Sequence, residues 1–109
     1  MKNNPKVLAV IPARSASKRI PNKNIKIFCG KPLVYYAVKQ ALTCGLADRV
    51  IVDTDSEIIA RIAKKYGAEV PWLRPQKLAQ DKSQYIDSLI WLLGKLRREQ
   101  NYVPDFVMI

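Results

Sequence analysis

The chain has 109 residues, enough for one small domain with a single core, and 49% of them are apolar, which excludes a disordered segment. No apolar run approaches a membrane span, and the opening Met-Lys-Asn-Asn-Pro-Lys lacks the apolar core of a signal peptide. The net charge of +10 is uneven: residues 1–47 hold nine Lys or Arg and no Asp or Glu, whereas residues 48–109 hold ten basic and nine acidic residues. Such an excess fits either a nonspecific nucleic-acid surface or an electropositive pocket for a small, highly charged anion, and charge alone favours neither.

Val7-Leu8-Ala9-Val10-Ile11 is continuous in apolar, mostly branched residues and reads as a buried parallel strand. A basic loop follows it directly, Ile11-Pro-Ala-Arg-Ser-Ala-Ser-Lys-Arg-Ile-Pro-Asn-Lys-Asn-Ile25. Small residues with Arg14, Lys18, Arg19 and Lys23 make a cradle in which backbone N–H groups and cationic side chains can close on a polyphosphate. Pro32 suits a helix's first turn, Leu33, Val34, Ala37, Ala41 and Leu42 follow at helical spacing, and Gly45 can end that helix. Arg49-Val50-Ile51-Val52 predicts a second strand, after which Thr54 or Asp55 can cap a helix whose buried face is Ile58, Ile59, Ile62, Ala63 and Tyr66, with Gly67 as its stop.

Glu69 to Leu73 reads as a third extended segment, and Arg74 to Lys82 has loop composition. Ser83 can cap a longer helix with an apolar stripe of Ile86, Leu89, Ile90, Leu93 and Leu96. Asp105 to Ile109 begins a further buried strand. Strand–helix alternation implies a three-layer α/β/α fold with a mostly parallel sheet and right-handed crossovers. Ligands of such sheets sit beyond the carboxyl ends of the strands, which gathers Arg14, Lys18, Lys23, Asp53, Asp55 and Arg74 around one crevice. A parallel strand buried on both faces needs a covering helix, so the sequence reads as the front half of a larger domain. Cys29 and Cys44 have no metal or redox spacing and read as reduced, small apolar fillers. Trp72 and Trp91 read as core or subunit-contact residues.

The loop has neither Gly-x-Gly-x-x-Gly nor Gly-x-x-x-x-Gly-Lys-Ser/Thr, which disfavours dinucleotide and P-loop sites. It resembles instead the signature of the acylneuraminate cytidylyltransferases, Ala-Arg-x-x-Ser-Lys-x-x-Pro-x-Lys-Asn, and matches at every specified position. Gly30-Lys31-Pro32-Leu33, Ile51-Val-Asp-Thr-Asp55, Tyr66-Gly-Ala-Glu-Val-Pro71, Leu73-Arg-Pro75 and Leu78-Ala-Gln-Asp81 follow in the family's order. Ala16 stands where many members have Gly. Longer members continue past the final strand into a Gln-Pro-Thr-Ser-Pro segment, a magnesium-binding Asp-x-Asp pair and a dimer-building insertion.

The resemblance implies a nucleotide-diphospho-sugar transferase-like fold, truncated after its fourth strand, with residues 1–109 as the N-terminal, nucleotide-binding part of a single cytidylyltransferase domain. It also implies transfer of CMP from CTP to a nonulosonic, sialic-acid-like sugar acid, with diphosphate released. By matched position, Arg14, Ser15, Ser17, Lys18 and Lys23 hold the triphosphate, with Arg14 and Lys18 as the catalytic charge-neutralising pair. Asn24, Arg74 and Ser83 contact the nucleotide. Magnesium is the implied cofactor, with ligands beyond residue 109, and the full-length form is expected to be a cytoplasmic homodimer that binds neither nucleic acid nor membrane. The competing readings are a short non-catalytic form that binds nucleotide or pairs with another subunit, and a basic nucleic-acid-binding module. For single residues the plainer readings are a solvated turn for Arg14 and Lys18, and turn roles for Lys23 and Asn24. Arg74 would then make a surface ion pair with Asp81 or Glu69, and Asp55 would cap a helix rather than bind a metal.

Overall fold

Alternate residues of the first strand face opposite layers of the molecule, and that alternation organises the whole fold. The computed structural model describes residues 4–15, 23–79 and 85–109. Its central sheet has three strands in the order β4-β1-β5: β1 is Val7–Pro12, β4 is Arg49–Asp53 and β5 is Phe106–Met108. Both pairings are parallel, with Leu8 opposite Arg49 through Pro12 opposite Asp53 on one side and Val7 opposite Phe106 through Ala9 opposite Met108 on the other. Side-chain carboxylates fix the strand entries: Asp48 Oδ2 accepts from the Val7 N–H and Asp105 Oδ2 from the Lys6 N–H, each at 2.7 Å.

Ala9, Val50 and Val52 point to one face, where they meet Val34 and Val38 of helix α1 (Leu33–Thr43) and Ile59, Ala60 and Ala63 of helix α2 (Glu57–Lys65). Leu8, Val10 and Ile51 point to the other, against Leu89, Leu92 and Leu96 of helix α3 (Tyr85–Gln100). Full burial of each Leu or Ile side chain contributes roughly 1.5–3 kcal/mol, so both layers hold the sheet. The expected α/β/α layering is therefore present, with β1 at the centre.

Several local expectations change. Pro32 is the N-cap of α1, with extended backbone, and is not inside it. It closes an antiparallel hairpin that the sequence reading missed, β2 (Ile27–Phe28) with β3 (Lys31–Pro32). Cys29 and Gly30 form its turn at φ 49° and 82°, the two positive values a type I′ turn requires. The Tyr36 hydroxyl donates to the carbonyls of Phe28 and Cys29 and so holds this turn. Cys29 and Cys44 are both exposed, which corrects their reading as apolar fillers. Val38 joins the core, whereas Leu33 and Leu42 stay partly in solvent. Gly45 takes the left-handed conformation expected after a helix.

The third extended segment is reduced to one parallel bridge. Glu69 pairs with Ile51, its N–H donating to the Val50 carbonyl and its carbonyl accepting from the Val52 N–H. Pro71, two residues on, has no N–H to continue the ladder. In α3 the buried positions are Ser88, Leu89, Leu92 and Leu96, while Ile86 and Ile90 are exposed. The helix is rotated from the expected stripe because Leu92 fills the space beneath Leu8 and Val10, and Ser88 turns toward the end of β4. Trp72 and Trp91 are half-buried against this layer, in agreement with a packing role.

Candidate functional site

The carboxyl ends of β1 and β4 lie side by side at the last register pair, Pro12 opposite Asp53. Just beyond it the Ala13 N–H donates to the Asp53 carbonyl at 3.0 Å, which starts the basic loop from a fixed point. Ala13 is fully buried. The next residue, Arg14, sends Nη1 to the Ala79 carbonyl at 3.3 Å and accepts from Asn24 Nδ2 at its own carbonyl at 3.2 Å. Arg14 thus stands between a short 3-10 turn, Lys23–Ile25, and another, Gln76–Leu78. The loops expected to meet at this edge do meet.

Asp53-Thr54-Asp55 ties these loops together. Asp55 takes both donors of Ser15: the N–H reaches Oδ1 at 2.8 Å and the hydroxyl reaches Oδ2 at 2.6 Å. Helix α2 is capped by Ser56, whose side chain accepts from the Ile59 N–H at 3.2 Å, and this corrects the assignment of the cap to Thr54 or Asp55. The Thr54 hydroxyl accepts from the Ser56 N–H, and its carbonyl from the Arg74 N–H at 2.7 Å.

Arg74 is not at the surface. Its Nη2 lies 3.0 Å from Asp53 Oδ2 and 3.1 Å from the Asp53 carbonyl, and Ser88 donates to the same carboxylate oxygen at 2.6 Å. Glu69, offered as a surface partner for Arg74, pairs with Arg49 instead. Asp53 Oδ1, Arg74 Nε and the Tyr85 hydroxyl are buried with no hydrogen-bond partner among the described residues. Burial pushes the Tyr85 hydroxyl up from 10.0 to about 12; the Asp53 charge adds to the rise and Arg74 opposes it. Tyr85 therefore stays a neutral donor across the physiological range.

Arg14, Ser15, Asn24 and Arg74 thus gather at one edge. Ser17, Lys18 and Ser83 lie outside the described residues, as does the side chain of Lys23, whose backbone belongs to the first 3-10 turn. The sequence reading missed Ser88, which sits in an apolar helical stripe, and the clasping roles of Asp53 and Asp55. The signal available for both acids was their place immediately after a buried strand.

The carboxylates of this crevice do not fit a magnesium site. Asp53 is buried on Arg74 and Ser88, both oxygens of Asp55 are engaged by Ser15, and among the described residues no three His, Cys, Asp or Glu side chains cluster to hold an ion.

Comparison with known proteins follows the same lines. A family model described as cytidylyltransferase matches residues 8–90. The CMP-N,N'-diacetyllegionaminic acid synthase of Legionella pneumophila is 46% identical over 104 residues, covering 95% of this chain and 45% of that protein. A pseudaminic acid cytidylyltransferase of Campylobacter jejuni is 49% identical over 102 residues, covering 94% and 44%. The chain thus spans less than half the length of these relatives. Among solved structures, CMP:2-keto-3-deoxy-manno-octonic acid synthetase complexed with CTP superposes with a TM-score of 0.71 at 27% identity, over 83% of this chain and 35% of that one.

Proposed function

This chain belongs to the cytidylyltransferase family, and we propose that it forms the N-terminal, nucleotide-binding part of an enzyme transferring CMP from CTP to a sialic-acid-like 2-keto sugar acid. The observation that carries this reading is the placement of Arg14. Its loop leaves the end of the central strand at the sheet's carboxyl edge, where the phosphates of a nucleotide are best received. The activities named for the legionaminic and pseudaminic acid relatives support the sugar-acid class.

In this reaction the sugar's anomeric hydroxyl attacks the α-phosphorus in line, the bond to the bridging oxygen breaks, and diphosphate leaves. The protein's task is to hold the reactants in line and to neutralise charge on the leaving group. Arg14 and Lys18 serve that purpose, while Asn24 steadies the loop through the Arg14 carbonyl. Magnesium would add charge neutralisation when bound; its ligands, and the contact that builds a homodimer, would come from the further length that the relatives carry. Use of cytosolic CTP fits a cytoplasmic location. Among the described residues no helix is long and apolar enough to cross a membrane.

The nucleic-acid reading is less favoured, because Tyr35 packs edge-on against both Tyr36 and Tyr66, and Lys31 lies over the rings of Tyr35 and Tyr66. Calorimetric titration of the chain with CTP, UTP and ATP tests the proposal. Saturable binding that prefers CTP and weakens in Arg14→Ala is expected. Absence of CTP binding at millimolar concentration would overturn it.

A further inference from the structure

We infer that Asp55 is a positioning residue for the phosphate-binding loop, acting through Ser15. The inference rests on the reading of that loop as the triphosphate site, and it reassigns Ser15 from phosphate contact to anchor.

The argument begins with the donors. Ser15 has one N–H and one O–H, and the carboxylate of Asp55 receives both, at 2.8 and 2.6 Å. Hydrogen bonds to a charged acceptor are the stronger kind, and two from one residue fix its orientation as well as its place. While the pair is closed, neither donor is available to a phosphate oxygen. Ser15 directly follows Arg14, so the clasp sets the direction in which the basic loop departs. Its other end is equally firm, because Asp55 stands between Thr54, which is fully buried and receives the Arg74 N–H, and Ser56, the cap of α2.

Two plainer roles for Asp55 are already accounted for. Ser56 performs the capping, so the carboxylate is not needed to start the helix. For a metal ligand, no partner ligands gather beside it: among the described residues no three His, Cys, Asp or Glu side chains cluster, and each Asp55 oxygen already accepts from Ser15. What remains is a negative charge beside a site meant for anions, which by Coulomb repulsion opposes the ligand. A carboxylate there is explained by the geometry it imposes on the loop. Because both hydrogen bonds of the Asp55 carboxylate among the described residues go to Ser15, at the start of the phosphate loop, its loss is expected to fall on the phosphates of the ligand and to spare the nucleoside.

The test titrates the folded chain and its variants with CTP and with cytidine, with and without magnesium, and follows melting in parallel. Asp55→Ala is expected to weaken CTP by about tenfold, as expected for losing hydrogen bonds to a charged acceptor, with cytidine unchanged. Ser15→Ala keeps the N–H contact and should lose less. The double variant should be no weaker than Asp55→Ala, since both act through one contact. Should Asp55→Ala fail to fold, Ser15→Ala alone carries the test through its selective loss of CTP. Unchanged CTP affinity in a folded Asp55→Ala, or equal losses for CTP and cytidine, overturns the inference while leaving the functional reading intact. So does a loss confined to magnesium buffer, or additive losses in the double variant. A wild-type chain that binds no CTP overturns both.

Discussion

Arg74 and Asp53 meet at 3.0 Å with side chains 3% and 0% exposed, so the ion pair joining the loop after Leu73 to the end of β4 is closed to solvent. Removing one partner of a buried pair strands the other charge at about 3–5 kcal/mol, whereas replacing both by apolar residues of similar size is often neutral. Arg74→Ala is expected to lower the unfolding free energy by that amount in urea titrations. Asp53→Leu combined with Arg74→Met should recover most of it. A loss in Arg74→Ala below about 1 kcal/mol, the range of exposed pairs, would contradict the burial described above.

Tyr85 supplies a signature in pH. Its hydroxyl ionises near 10.0 when unfolded and near 12 in the fold, so the folded state keeps a proton that the unfolded chain releases. The stability tied to this group is complete below pH 10 and declines as pH rises from 10 toward 12. Tyr85→Phe should melt at or slightly above the wild-type temperature at neutral pH, since it removes a buried hydroxyl that has no partner among the described residues. Its melting temperature should fall less steeply than wild type above pH 10. Parallel curves for the two proteins would refute the assignment.

Arg14 is the side chain on which the proposed chemistry leans most. In the transferase carrying this segment, Arg14→Ala should reduce turnover by about 100-fold, near 3 kcal/mol, as for the loss of other anion-stabilising donors. Arg14→Lys should restore little, because an ammonium cannot reach the Ala79 carbonyl and a phosphate oxygen with one planar fork. Steady-state kinetics with CTP varied would decide, and turnover equal to wild type in Arg14→Ala would remove the loop from the active site.

Ser56→Ala should cost about 1 kcal/mol through loss of the α2 cap, while Ser56→Asp should keep it. Urea unfolding measures both. Asp55→Ala, by contrast, should leave the helical circular dichroism intact, since Asp55 makes no cap contact.

The sheet and its layers were legible because the strands are continuous apolar runs, and the positions of Leu8, Ala9 and Val10 on opposite faces follow from period two alone. The start of the loop behind β1 was legible for a similar reason, since Pro12 and Ala13 follow directly on the apolar run and Ala13 leaves the strand at the Asp53 carbonyl. Side-chain partnerships across loops were not. Ser15 and Asp55 are 40 residues apart, and Arg74 and Asp53 are 21 apart, so no local pattern announces either. The phase of α3 was misjudged because Ser88 counts as polar in any periodicity, although here it is wholly buried on a carboxylate. The hairpin escaped because its turn uses Cys29 where Asn or Asp is the usual signal.

The pairing of Pro12 with Asp53 also couples folding to ligand capture. Contacts of the crevice hang from that last register pair, which joins positions 41 residues apart. Loop closure over that separation must precede any cohesion between the anion-receiving residues, so the unfolded chain holds no partial version of the site. Under the proposed function, a nucleotide that selects the folded form would add RT ln(1 + [L]/Kd) to its stability. Saturating CTP is therefore expected to slow amide hydrogen exchange along the β1–β4 seam.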